Sequence, residues 1–335
     1  MPRQGLSTRS VRVATTVALA CGLALATAGQ ASADRPSGGT TYDPSGGSSP
    51  GAGFSFRYSS PGSGGTPMQS SNANWSPPPC WYAPTYTNDS LDKHNEELHE
   101  DPTSGVRGDV LERRKEETEE KRKSGEEGMW WERKPDDAAL LPRECNLGEW
   151  IVWVEEGDPD PPEGAVDPEI LAGFAYERMK LPAPPIDLKP DPDRNVVNLP
   201  TKIEFSEALQ REWVTANYDN AEANVHIAAT TVAQPVSLRI EAGTEYAEPN
   251  ACEYRLTGGG DGGYQVNSDD AGCNITYRKS SGEGTYPLRA EIVWEVSWNA
   301  TDNPDGPPEG DPELPNGLSV FEQDVTVKEI QTVVR

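Results

Sequence analysis

The chain has 335 residues, a formal net charge of −26 and a hydrophobic fraction of only 34%. That fraction is well below the roughly 45–50% of an ordinary globular chain, a figure that counts glycine, and the 32 glycines and 31 prolines indicate that part of the chain is unfolded linker. The acidic balance argues against nucleic acid or anionic lipid as a partner, because both are recognised by a basic face.

Residues 1–33 are predicted to be a secretory signal peptide. Arginines precede an uncharged apolar run at 13–28, and Ala31-Ser32-Ala33 matches the small-x-small cleavage pattern. An uncleaved anchor is the alternative, although the run is short for a spanning helix. We therefore expect an exported protein, either secreted or associated with the cell wall, with no membrane span after cleavage.

Residues 34–74 are rich in glycine, serine and proline, which predicts a disordered, flexible linker. Phe54, Phe56 and Tyr58 alternate within this segment and offer a short strand as the alternative. The composition of the whole segment favours disorder with an apolar patch.

Residues 75–185 form a predicted helix-bearing region that is rich in tryptophan. Within it, 107–127 carries alternating acidic and basic side chains at helical spacing but almost no apolar residue, which predicts a helix surrounded by solvent. A partner-binding helix is the alternative. Residues 148–156 predict a strand, and Asp167-Pro168 predicts the start of another helix.

Residues 186–335 predict a domain of short strands separated by glycine, aspartate and proline turns. Ile292, Trp294 and Trp298 share one face of a strand, which places both tryptophans in the core. Strands at this spacing without a helix signal favour an antiparallel β-sandwich. Because the helix-bearing region precedes this sandwich, the predicted fold class of the whole chain is α+β. The predicted strands are 195–205, 225–232, 236–241, 252–256, 273–278, 286–298 and 318–334.

The four cysteines beyond the signal peptide are Cys80, Cys145, Cys252 and Cys273. An even number in an exported chain suggests two disulfides. Of the three possible pairings we favour Cys80–Cys145 and Cys252–Cys273, one within each predicted domain. A metal site is disfavoured because no CxxC spacing is present.

No motif in the sequence supports catalysis. Gly258–Gly263 has dinucleotide-binding spacing but no following helix, and Gly47–Gly51 has nucleophile-elbow spacing within the predicted linker. His94, His99 and His226 form no recognisable metal or catalytic motif, and acidic residues are too abundant for a glycosidase pair to be identified. An enzyme is therefore disfavoured, although a Ser/His/Asp triad stays open.

Two weaker site candidates remain. The loop at 301–313 is rich in oxygen ligands and offers Asp302, Asp305 and Asp311 to calcium, with an extended acidic turn as the favoured alternative. Adjacent aromatic residues offer a platform on which a sugar ring could stack, because neighbours on a strand cannot both point inward. The platform candidates are Trp81, Tyr82, Trp130 and Trp131.

Several motifs resemble a group of uncharacterised secreted proteins of actinomycetes. They are Pro79-Cys80-Trp81-Tyr82, Gly128-Met129-Trp130-Trp131, Val197-Asn198-Leu199-Pro200-Thr201 and Trp294-x-x-x-Trp298. The resemblance covers most of 75–335. It implies an α-rich region followed by an Ig- or PKD-like sandwich, and it supplies neither an activity nor catalytic residues.

The function that these observations favour is that of an exported, non-catalytic interaction module whose partner is a cell-wall polysaccharide or an envelope protein. One alternative is a secreted hydrolase that acts on polysaccharide or peptide, which predicts a cleft with paired carboxylates and exposed tryptophan. Another is a structural component of a surface or secretion assembly. No cofactor is expected apart from the candidate calcium.

Overall fold

The computed structural model describes residues 39–41, 52–59, 65–135, 145, 149–258, 263–266, 274–311 and 313–330. The predicted signal peptide and Cys273 lie outside these ranges. The architecture is mostly β, built from antiparallel sheets, and is compatible with the predicted α+β sandwich-like fold.

The main sheet is organised around two long strands, β13 (Val225–Glu241) and β18 (Tyr286–Asn299). Its other strands are β1 (Gly39–Thr41), β2 (Ala52–Tyr58), β4 (Gln69–Ser70), β12 (Glu212–Asn220), β15 (Ala251–Gly258), β16 (Tyr264–Val266) and β19 (Gly317–Val325). The strand order is β1-β2-β12-β13-β18-β19-β4, with β15 on β13 and β16 on β15.

Strand β13 changes its neighbour halfway along its length. Its first half pairs with β12 and its second half pairs with β15, while β18 follows it along the other edge. The register shifts between Pro235 and Ser237. Proline has no N–H to donate to a ladder, so it lies where the ladder is interrupted. The segments 225–232 and 236–241, predicted as separate strands, are therefore one strand with an irregularity.

The second half of β13 shares a buried core with a four-stranded sheet. Leu238 and Ile240 from β13 lie in the same apolar cluster as Ile275 and Tyr277. The four strands, in spatial order, are β14 (Ala247–Glu248), β17 (Ile275–Tyr277), β11 (Pro200–Phe205) and β9 (Ile186–Lys189). Two short pairs join distant segments: β3 (Thr66–Pro67) with β8 (Lys180–Leu181), and β10 (Asn195–Val196) with β20 (Val327–Lys328).

The helix α3 (Pro168–Glu177) packs mainly against strands β12 and β13 of the main sheet. The Asp167 side chain accepts a hydrogen bond of 2.8 Å from the Ile170 N–H, and Pro168 occupies the first turn, as the sequence predicts. Thr231 of β13 donates its hydroxyl to the Ala172 carbonyl at 2.9 Å. This contact joins residues on either side of the domain boundary predicted at 185.

A three-stranded sheet carries the other two helices. Its strands are β5 (Cys80–Tyr86), β6 (Gly128–Pro135) and β7 (Ile151–Glu155), and the helices α1 (Asn88–Glu100) and α2 (Gly108–Ser124) connect β5 to β6. Thr87 and Ser90 form a capping box at the start of α1, and Gly125 ends α2 with a left-handed backbone at φ 72°. The predicted helix at 107–127 is confirmed, but it pairs with α1 instead of standing alone.

The prediction of a structureless linker is wrong for residues 52–58. These residues form β2, which pairs along β12. Phe54 and Phe56 are 3% and 1% exposed, and Phe54 meets the rings of Trp81 and Phe174 edge-on at 5.7 and 5.9 Å. Burial of these two side chains contributes about 1.5–3 kcal/mol each, and it adds to the ladder with β12 in favouring an ordered strand here.

The part of the chain that the structure describes does not divide into two domains at residue 185. Residues Pro36–Arg335 form one compact unit. The proline-rich run at 181–193, predicted to be an interdomain connector, supplies β9 to the four-stranded sheet. The two regions share one core because α3 and β5 pack on strands from the later part of the chain.

Candidate binding cleft

A cleft of about 940 Å³ lies where β6 and β7 meet the start of α1, the end of α2 and the turn between β12 and β13. We call it the acidic cleft. Among its described lining residues Arg122 is the single cation. The larger apolar side chains of its wall are Met129, Trp131, Trp153, Val154, Val225 and Ile227. Its carboxylates belong to Asp89, Glu126, Glu127, Glu155, Glu156 and Glu222.

The glutamates gather here because β6 and β7 are antiparallel neighbours. Glu126-Glu127 immediately precedes β6, Glu155 ends β7 and Glu156 follows it, and Gly128 pairs with Glu155 in the register. A Cβ on Gly128 would lie 2.7 Å from the Trp153 ring atom Cζ2. The Val154 carbonyl oxygen would lie closer still, so only glycine fits here between the backbone of β7 and the Trp153 indole.

The two adjacent tryptophans of β6 lie on opposite faces of the three-stranded sheet. Trp130 is 4% exposed, contacts Trp153 at a ring distance of 5.2 Å and donates its Nε1–H to Asn88 Oδ1 at 2.8 Å. Trp131 is half-buried, packs against the main core and lines the acidic cleft. Of this pair, only Trp131 lines the cleft.

The prediction of an exposed aromatic platform is wrong for Trp81, Tyr82 and Trp130. Trp81 is 2% exposed and lies within the core beside Phe54, and Tyr82 is 5% exposed beneath the Arg133 guanidinium, 4.6 Å from its ring. Both faces of the three-stranded sheet are covered, one by α1 and one by the main core. Neighbouring side chains of a strand point to opposite faces, but here neither face leaves Trp81, Tyr82 or Trp130 exposed to solvent.

An ammonium group already lies over the tryptophan at the edge of the acidic cleft. Lys121 Nζ is 5.4 Å from the centre of the Trp153 ring and pairs with the Glu126 carboxylate. A neighbouring cavity of about 490 Å³ is lined by Lys121, Trp153, Glu155 and Glu156. The combination of an aromatic face with carboxylates stabilises a cation, and the chain itself supplies one.

The positive charge of Arg122, the single cation among the described residues of the cleft wall, is already neutralised by two aspartates. Arg122 Nη2 lies 3.0 Å from Asp89 Oδ1 and 2.8 Å from Asp92 Oδ2. Hydrogen bonds to Asp92 and Asp89 raise the pKa of the Arg122 guanidinium above its ordinary value. Glu126 is paired with Lys121, and the other glutamates of the cleft keep an excess of negative charge for an incoming group.

Two of the three histidines, His94 and His99, lie on α1, and His226 lies on β13. His94 of α1 stacks on Tyr86 at a ring distance of 5.0 Å, and burial lowers the pKa of its imidazole. His226 is exposed, as the sequence predicts, and its Nδ1 lies 2.6 Å from Asp219 Oδ1. Within the described part of the chain, no group of three or more His, Cys, Asp or Glu side chains is arranged to hold a metal ion.

The candidate calcium loop faces arginines. Asp302 Oδ2 lies 3.4 Å from Arg57 Nη2, which also donates to the Asp302 carbonyl at 2.6 Å, and Asp305 pairs with Arg211. These ion pairs anchor the loop to β2 and to the start of β12. Two of the three proposed calcium ligands therefore already have cationic partners.

Replacing Asp302 by asparagine is expected to lower the free energy of unfolding by less than about 1 kcal/mol, because the ion pair is exposed and the Arg57 bond to the backbone remains. The loss should be the same in calcium and in a chelator when measured by urea unfolding. A loss that appears only in calcium would show that the loop holds the ion.

The described cysteines are disulfide-bonded. Cys80 is joined to Cys145 across a Cα–Cα distance of 5.7 Å. Cys252 also forms a disulfide, and its expected partner Cys273 lies outside the described residues. No described helix has the length and apolar character needed to cross a bilayer. A disulfide is consistent with an extracellular protein.

Comparison with protein-family models, with curated proteins and with solved structures gave no match. The resemblance to secreted actinomycete proteins therefore stays a prediction.

Proposed function

We propose that this protein is an exported, non-catalytic interaction module of the extracellular space or cell envelope, and that the acidic cleft binds a positively charged segment of its partner. The observation that carries the proposal is the position of the Lys121 ammonium, over Trp153 and against Glu126. The expected partner is an envelope protein with a lysine- or arginine-rich segment. We also propose that the β-rich part of residues 186–335 is of the Ig or PKD type.

The charge of the whole chain supports a cationic partner. A net charge of −26 attracts cations over a distance and raises their rate of encounter. Bulk charge gives no selectivity, however, since any polycation would respond to it. Selectivity has to come from the apolar wall of the cleft, where Trp131 and Trp153 offer aromatic faces next to the carboxylates.

A secreted hydrolase is the second candidate, because the cleft places glutamate pairs beside tryptophan, as that hypothesis predicts. Glycosidases use two carboxylates on either side of the scissile bond. Release of sugars or peptides from cell-wall fractions by the purified protein would favour the hydrolase over the binding module.

Binding should be tested with a fluorescein-labelled tetralysine amide and fluorescence anisotropy at low and high salt. We expect saturable binding that weakens as salt rises. Replacing Trp153 by leucine should weaken it about fivefold, because a probe ammonium that displaces Lys121 from the Trp153 ring loses its cation–π contact without a change of charge. Trp150→Leu is the matched control, since Trp150 is 38% exposed and does not line the cleft.

Equal affinities of the wild-type protein and the Trp153 variant would contradict the proposal, because binding would then reflect bulk charge alone. Purified cell-wall polysaccharide is tested in parallel as the competing partner. Saturable binding of that polysaccharide, without binding of tetralysine, would also contradict the cationic partner.

A further inference from the structure

The three-stranded sheet has one covered edge and one open edge. At the β5 edge, the Tyr82 N–H donates to the Gly164 carbonyl at 2.8 Å, and the Val166 N–H donates to the Tyr82 carbonyl at 2.7 Å. At the other edge, β7 pairs with β6 alone among the described strands. An unpaired strand edge presents N–H and C=O groups to which a further strand can bind.

The hydrogen bonds at the two ends of β7 show which of its residues face the open edge. The Arg133 N–H donates to the Trp150 carbonyl at 2.7 Å, and the Glu156 N–H donates to the Glu127 carbonyl at 2.8 Å. The register between these two bonds has no irregularity. Residues of an antiparallel ladder that bond to the neighbouring strand alternate with residues whose backbone groups point away from it. The residues that face β6 are therefore 150, 152, 154 and 156.

The backbone groups of Ile151 and Trp153 point to the open edge. Among the described residues, neither has a backbone hydrogen-bond partner there. Glu155 faces the same edge, but its carbonyl accepts the Asp158 N–H at 3.2 Å in the turn that follows β7. The open edge therefore offers the N–H and C=O groups of two residues, which suits a short strand.

Space and negative charge lie beside the end of β7. The cavity of about 490 Å³ is lined by Trp153, Glu155 and Glu156 and by the turn at 157–159. On an added antiparallel strand, the side chain opposite Trp153 lies on the same face, with its Cβ about 4.5–5.5 Å from that of Trp153. The Lys121 ammonium now lies over that indole. The next position on this face is opposite Glu155, two residues along.

We propose that the basic segment of the partner binds by adding an antiparallel strand to the open edge of β7. This inference rests on the proposed function and specifies how the cationic segment is held. Backbone hydrogen bonds to Ile151 and Trp153 supply affinity, and a lysine or arginine at every second position supplies specificity. One cation takes the place of Lys121 over Trp153, and the next lies beside Glu155.

The backbone contacts are tested with the peptide Lys-Thr-Lys-Thr-Val, labelled with fluorescein at its N-terminus and amidated at its C-terminus. In the antiparallel register its first, third and fifth residues lie opposite Glu155, Trp153 and Ile151. N-methylation of its second lysine removes the N–H that donates to the Trp153 carbonyl, and anisotropy should show binding at least tenfold weaker. N-methylation of its second threonine, whose N–H points away from β7, is the matched control and should change the affinity less than twofold.

The outcomes separate this inference from the proposed function. Equal effects of the two methyl groups would show that the peptide does not add as an antiparallel strand. Binding of tetralysine without binding of the unmethylated peptide would overturn strand addition and leave the proposed function standing. If neither peptide bound, the proposed function itself would fail.

A variant of the protein tests the same edge from the other side. Ile151→Pro removes an N–H that points to the open edge, and it removes no bond to β6. Ile151→Ala loses the same side chain but keeps that N–H, so it is the matched control. The alanine variant should bind the peptide at least fivefold more tightly than the proline variant, with circular dichroism confirming that both are folded. Equal affinities of the two variants would contradict strand addition, and the methylated peptides test it without any change to the protein.

Discussion

Replacing both Cys80 and Cys145 by alanine is expected to lower the free energy of unfolding by about 4 kcal/mol. The bond joins residues separated by 65 positions, so it restricts a long loop in the unfolded chain. That loop contains the α1–α2 pair and β6. Cys145 is 1% exposed, and its carbonyl accepts a hydrogen bond of 3.3 Å from Arg133, so the pair also belongs to the folded core.

The measurement is urea unfolding followed by circular dichroism, without reductant, so that the disulfide of Cys252 stays intact. Each single alanine variant should lose about as much stability as the double variant, because either one removes the bond. A double variant as stable as the wild-type protein would contradict this account. A large loss fits a protein that folds in an oxidising compartment.

The strands of the later half of the chain were predictable where one face is apolar. Residues 286–298 were predicted as a strand, and β18 spans Tyr286–Asn299 with Ile292 and Trp294 fully buried. A period of two in hydrophobicity is sufficient for such a strand, because its partners bury one face and leave the other polar.

Strand β12 was missed because both of its faces are buried but only one is apolar. Thr215 is fully buried on the outer face, where its hydroxyl lies 2.8 Å from that of Thr230, and Thr230 in turn donates to the Thr301 carbonyl. The loop that follows β18 thus meets this face. A contact between segments so distant in sequence leaves no local signal that could have predicted it.

The acidic cleft could have been found from one pattern. Each of the strands at 128–135 and 151–155 has a glutamate pair at one end, before the first strand and at the close of the second. Antiparallel pairing of neighbouring strands brings those ends together. The turn between β12 and β13 could not be placed beside them, because that depends on packing between sheets.

Replacing Glu127, Glu155 and Glu156 together by glutamine is expected to weaken binding of the tetralysine probe about 100-fold. Each lost charge removes on the order of 1 kcal/mol of attraction for a bound ammonium at close range, and about 1.4 kcal/mol corresponds to a tenfold change. The dependence of affinity on salt should also flatten, because fewer charge pairs form on binding.

The matched control replaces three exposed glutamates outside the cleft, Glu116, Glu120 and Glu253, by glutamine. Both triple variants change the net charge equally, so any difference between them reports position. We expect less than a threefold change for the control, because screening weakens attraction at a distance. If the two variants lost affinity equally, the tetralysine would be held by the overall charge of the chain, and the assignment of the binding site to the acidic cleft would be wrong.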